Sequence, residues 1–93
     1  MNTISGRITV EVTGVPVPLS QESQPFAWLI VRGMKNNTDV VHVGSRSVRA
    51  KAGFESGIML RATDEQRFEN GDLKDLWVDS IVAGEGVFWG GMV

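Results

Sequence analysis

Phe26-Ala27-Trp28-Leu29-Ile30-Val31 is the longest apolar run in the chain, and it decides the fold class. It is apolar on both alternating parities and rich in aromatic and β-branched residues, which suit a pleated surface. Such a run reads as a strand covered on both faces, placed centrally in a sheet. Downstream, Gly33 and Lys35-Asn36-Asn37-Thr38-Asp39 form a turn, because Asn and Asp accept left-handed backbone angles and bond their own main chain. Val40-Val41-His42-Val43-Gly44 is then the returning strand of a hairpin. Upstream, Ile8, Val10 and Val12 alternate with Arg7, Thr9, Glu11 and Thr13, which predicts a strand over residues 4–13 with one wet face. Pro16 and Pro18 offer no amide donor, so residues 15–19 can serve only as an edge or a connection.

Beyond Gly44, residues 45–53 form a polar, basic connection with Arg46, Arg49 and Lys51 around Val48. Gly57-Ile58-Met59-Leu60 is too short to assign. Residues 65–69 read as a solvent-facing strand with Phe68 as its one apolar anchor, and Asn70-Gly71-Asp72 as a turn. Leu73 and Leu76, three apart, predict one helical turn before a strand that starts at Leu76. Ala83-Gly84-Glu85-Gly86 separates Ser80-Ile81-Val82 from Val87-Phe88-Trp89, as a tight hairpin would. Short runs at this spacing, without a sustained helical period, predict an all-β fold: one small antiparallel β-sandwich, jelly-roll-like, of seven or eight strands. It spans residues 1–93, with 1–6 as an extended N-terminal arm.

Composition bounds the function. The 93 residues hold nine Lys plus Arg against eleven Asp plus Glu, a net charge of −2. That balance removes the electrostatic term on which non-specific nucleic-acid binding depends. Cysteine is absent, so disulfides and thiolate zinc sites are excluded. The six-residue apolar run is far below the ~20 residues of a membrane span. Residues 1–6 lack the basic and apolar regions of a secretory signal, so Sec export is not expected.

Reactive groups are few. His42, the sole histidine, sits inside Val-Val-His-Val, on the wet face or in a hydrogen-bonded interior slot. Asp39, three positions away, matches no metal-ligand spacing. Asp64, Glu65, Glu69, Asp72, Asp75 and Asp79 could supply a glycosidase-type carboxylate pair, but in turns and on exposed strand faces they read as solvated groups. No catalytic residue, cofactor or metal is expected. At least two of Trp28, Trp77 and Trp89 read as core. Phe54, alone between Ala52-Gly53 and Glu55-Ser56, reads as an exposed anchor for a partner, or else as a loop residue tucked onto the sheet. Residues 1–51 carry +3 and residues 52–93 carry −5, an asymmetry suited to complementary association.

Val17-Pro18-Leu19-Ser20, Ile30-Val31-Arg32-Gly33 and Val40-Val41-His42-Val43-Gly44-Ser45 precede the most telling pieces. These are Asp72-Leu73-Lys74-Asp75-Leu76-Trp77-Val78-Asp79-Ser80 and Ala83-Gly84-Glu85-Gly86-Val87-Phe88-Trp89. In order and spacing the pattern resembles the small β-sandwich capsid decoration, or cement, proteins of tailed bacteriophages and related head proteins. The chain departs from them at Arg61-Ala62-Thr63-Asp64-Glu65, where a Pro-Gly-Glu turn is common, at His42, where an aromatic is common, and at Asp39, where glycine is. The resemblance implies a virion structural protein that is not an enzyme. It would be made in the host bacterial cytoplasm and carried on the outer capsid surface, bound to the major capsid protein as a homotrimer, without nucleic acid or membrane. Arg46, Arg49, Lys51 and Phe54, with Met1, Asn2 and Thr3, are the candidate interface residues. A tail, fibre or head-fibre component that binds a host surface glycan is the alternative. It would need an exposed Trp77 or Trp89 beside polar groups.

Overall fold

The computed structural model describes residues 2–51 and 53–93 and holds eight strands in two antiparallel sheets. The strands are β1 (Thr3–Val10), β2 (Val17–Pro18), β3 (Pro25–Gly33), β4 (Val41–Gly44), β5 (Ile58–Leu60), β6 (Glu65–Asp72), β7 (Trp77–Ser80) and β8 (Glu85–Met92). The first sheet runs β1-β8-β3-β6 and the second β2-β7-β4-β5. Strand one pairs with eight, two with seven, three with six and four with five. This is a long hairpin rolled into two layers, the jelly-roll arrangement. Every step from an odd to the next even strand changes sheet, so segments 11–16, 34–40, 61–64 and 81–84 all lie at one end of the sandwich.

The two expected hairpins are therefore crossovers. β3 and β4 lie in different sheets, as do β7 and β8, and the Asn-rich and Gly-rich segments carry the chain between layers. Turn residues mark where the chain reverses but not whether its two arms pair. β3 is central, between β8 and β6, but only one of its faces is covered. Leu29 and Val31 are buried, whereas Ala27 is exposed and Trp28 and Ile30 are half-buried. The first strand ends at Val10, leaving Val12 61% exposed in the following turn. Asn70-Gly71-Asp72 continues β6, with Asn70 at φ 51°, and the helical turn forms as expected at Leu73–Asp75, capped by the Asp72 carboxylate on Lys74 N–H.

The core lies between the sheets and is built from Val10, Leu19, Phe26, Leu29, Val31, Val41, Val43, Leu60, Leu73, Val78 and Val87. Burial follows parity in β4 and β7: Val41, Val43 and Val78 point inward, and their register partners place His42 opposite Asp79 on the outer face. None of the three tryptophans is fully buried. Trp89 packs against the core beneath Gly6, where a Cβ would stand 2.4 Å from the indole. Residues 3–6 belong to β1 and pair with β8, so the extended arm is part of the sheet; Met1 lies outside the described residues.

Candidate interaction surface

Between β4 and β5, residues 45–51 and 53–57 cover part of the outer face of the second sheet. Val48 and Ala50 of this loop are buried, together with His42 and Asp79. Gly44 and Gly57 let the loop leave the sheet at close quarters. Gly57 adopts φ +81° with its missing Cβ 2.5 Å from Val43 O, a place that only glycine fills without strain. The two arms of the loop hold each other through Ser56 N–H to Arg49 O at 3.0 Å and Arg49 N–H to Ser56 Oγ at 3.0 Å. His42 Nδ1–H donates to Ser56 O at 2.9 Å, since a carbonyl can only accept. The histidine thus occupies the hydrogen-bonded slot and pins the returning arm.

Asp79 pins the outgoing arm. Its Oδ2 accepts from Ala50 N–H at 2.9 Å, and its Oδ1 accepts from Gly14 N–H and Ser80 N–H, each at 3.0 Å. The carboxylate is fully buried, a correction to the solvated role expected from the sequence. A buried charge is tolerated where strong donors surround it, and here three backbone amides do so. Glu85 does the same for the crossover at 34–40. Its Oε2 accepts from Thr38 N–H at 2.6 Å and Thr38 Oγ1–H at 2.7 Å, and its Oε1 accepts from Asp39 N–H at 3.2 Å. Burial pushes the Glu85 pKa up, but these donors outweigh it and hold the carboxyl below its ordinary value. Asp72 is also held low, by the Ser23 hydroxyl first and then by the Lys74 and Gln24 amides. These three carboxylates accept backbone N–H groups and fasten loops.

On this framework Phe54 stands 68% exposed, with Lys51 Nζ 5.6 Å from its ring centroid, so it is not tucked onto the sheet. Met59 and Ile58, on the adjoining edge strand, are also exposed. The three basic residues do not form one patch. Arg46 stacks over Trp77 at 5.8 Å near the foot of the loop, and Arg49 turns its Nη1 onto Val48 O. Lys51 reaches the crossover end, where it lines a notch with Thr13, Gly14, Ser80 and Ile81. Asn2 and Thr3 lie at the opposite end, at the start of the first sheet's edge strand.

The sequence reading passed over a second surface, the outer face of the first sheet. Trp28, Ile30, Phe88, Gly90 and Met92 share it with Arg7, Arg32, Glu65, Arg67 and Glu69. Arg67 stacks on Trp28 at 4.9 Å, and the Arg32–Glu65 and Arg67–Glu69 pairs border it. Alternation along Val87-Phe88-Trp89-Gly90 carried the signal, since it sends Phe88 out where Trp89 goes in. Among the described residues there is no cluster of three or more His, Cys, Asp or Glu side chains placed to hold a metal ion. Compared with family models, with curated proteins and with solved structures, the chain matches none.

Proposed function

We propose that this chain is a structural protein of a tailed-phage virion, a decoration protein on the outer surface of the head that binds the lattice of the major capsid protein. The observation that carries the reading is the anchored loop over the second sheet, which spends two buried polar groups, His42 and Asp79, on holding a segment that presents Phe54 and Lys51 to solvent. An exposed aromatic beside a cation, on a loop fastened at both arms, is the kind of anchor that dominates protein interfaces. The jelly roll is an architecture common to viral capsid and lectin domains, which fits a role in contact and not in chemistry. A domain that binds only the assembled shell stabilises it by mass action. The homotrimer that the resemblance implies requires copies to meet through complementary surfaces.

Binding of purified protein to empty phage heads tests the reading. Lys51→Ala combined with Phe54→Ala is expected to weaken attachment by about 30-fold or more, the effect of losing a hot-spot anchor, with the thermal midpoint unchanged. Unchanged occupancy on heads would overturn it.

One observation favours the glycan-binding alternative. Trp89 lines a groove with Thr3, Ser5, Ser20, Glu22, Ser23 and Gln24, and its buried Nε1–H has no partner among the described residues. A sugar in that groove would meet these hydroxyl, amide and carboxylate groups beside the indole. Binding on a glycan array that disappears with Trp89→Phe would move the assignment to this reading.

A further inference from the structure

The two sheets have four edges, and three of them are defended against strand addition. β2 is two residues long and ends in Pro18, with Pro16 just before it. β5 has three residues. β6 is long, but it carries Glu65, Arg67, Glu69 and Asp72 and is bent at Asn70, whose φ of 51° takes it out of the extended region. Charges, prolines, bends and short length are the devices that keep an edge from pairing with another chain. β1 has none of them except one charge: it is eight residues, Thr-Ile-Ser-Gly-Arg-Ile-Thr-Val, with Arg7 alone charged and no proline.

The hydrogen-bond pattern shows which groups this edge leaves free. Val93 N–H donates to Asn2 O and Gly84 N–H to Val10 O, so the even residues of β1 turn their backbone groups toward β8. By the alternation of an antiparallel ladder, Thr3, Ser5, Arg7 and Thr9 turn theirs outward.

We propose that β1 pairs antiparallel with β1 of a second copy, about a twofold axis through Gly6, to join the two first sheets into one. Two registers bring outward residues opposite one another over most of the strand. One centres on Arg7 and sets each Arg7 against its own mate, which like-charge repulsion disfavours. The other centres on Gly6 and sets Thr3 against Thr9 and Ser5 against Arg7, so that their outward N–H and C=O groups exchange bonds. It also places Ile4 opposite Ile8 on the inner face, where both are only partly buried in the single copy. The closer, non-hydrogen-bonded pairing covers that remaining apolar surface. A self-complementary patch produces a closed pair, whereas a ring of copies joined edge to edge needs two different free edges that fit each other. Among the described residues only β1 is undefended. Edge pairing through β1 therefore gives a closed pair and not a threefold ring, and it stands or falls independently of any capsid.

Sedimentation equilibrium of the full chain is expected to show a monomer–dimer equilibrium. Amide exchange by NMR is expected to slow at Thr3, Ser5, Arg7 and Thr9 as concentration rises. Ser5→Glu, which sets a carboxylate against the partner's Arg7, is expected to tighten the dimer, and Ser5→Lys to loosen it, each by about two- to thirty-fold over its two symmetric contacts. Because Ser5 points its side chain to solvent and its amide away from β8, the monomer's melting midpoint should stay unchanged in both. A species that remains monomeric at millimolar concentration, a trimer, or a dimer whose affinity ignores both charge variants would overturn the proposal.

Discussion

Replacing Asp79 by Asn tests whether a buried carboxylate fastens the loop between β4 and β5. Asn keeps the shape, and its oxygen can stay on Gly14 and Ser80 N–H, but its NH₂ then faces Ala50 N–H, donor against donor. One charge-assisted bond disappears, worth about 1.5–3 kcal/mol, two others weaken by roughly 1 kcal/mol each, and a buried amide left without an acceptor costs about 1–3 kcal/mol more. These contributions share one acceptor group and do not add in full, and removing a buried charge offsets part of them. The net expectation is a loss of about 3 kcal/mol. A domain of this length holds roughly 5–14 kcal/mol in total, so the variant should fold with little margin. At about 4–8 °C per kcal/mol, its midpoint should fall by roughly 12–24 °C. Urea unfolding followed by tryptophan fluorescence measures the loss, and hydrogen exchange at Ala50 places it. Glu55→Gln, at the exposed loop tip where Glu55 accepts Gly53 N–H, is the control and should change stability by less than about 0.5 kcal/mol. A loss below 1 kcal/mol for Asp79→Asn with Ala50 still protected would refute the reasoning.

Acid should destabilise the fold through Glu85 and Asp72. Both carboxyls titrate lower when folded than their ordinary values of 4.5 and 3.8, so the unfolded chain binds more protons in between. Stability should thus be flat above about pH 5.5 and fall as the pH drops through the unfolded and then the folded values, with Glu85→Gln showing a shallower fall from a lower plateau in urea titrations at several pH values. Gly91→Ala and Gly90→Ala should differ in sign. A Cβ at Gly91 would stand 2.1 Å from Trp28 O, predicting a loss of about 1–3 kcal/mol or more, whereas at Gly90 its nearest neighbour would be Ile4 O at 3.7 Å, predicting no loss or a gain of about 0.4–1 kcal/mol; thermal melts of the two variants decide it.

The candidate surface was legible only in part. Phe54 announced itself as an aromatic isolated between glycine and acid, and the structure leaves it exposed. Arg46, Arg49 and Lys51 looked like one basic patch because they are close in sequence. The loop climbs the sheet between them, so one stacks on Trp77, one bends onto its own backbone and one reaches the crossover end. Asp79 read as solvated and Glu85 as part of a hairpin turn, since nothing local distinguishes a buried carboxylate from an exposed one. Their partners come from elsewhere in the chain: Gly14 is 65 positions from Asp79, and Thr38 is 47 from Glu85.

The all-β class, the edge role of the proline segment and the helical turn at Leu73–Asp75 follow from the amino-acid order alone. Each depends on period-two alternation, a missing amide donor or short-range spacing, all of which are local. Which strands pair, that the turn-like segments cross between sheets, and that among the described residues β1 keeps an undefended edge were decided by tertiary structure. Pairing is a contest among distant strands for the same backbone groups. It is settled by burying one face of each sheet against the other, and no stretch of sequence carries that outcome by itself.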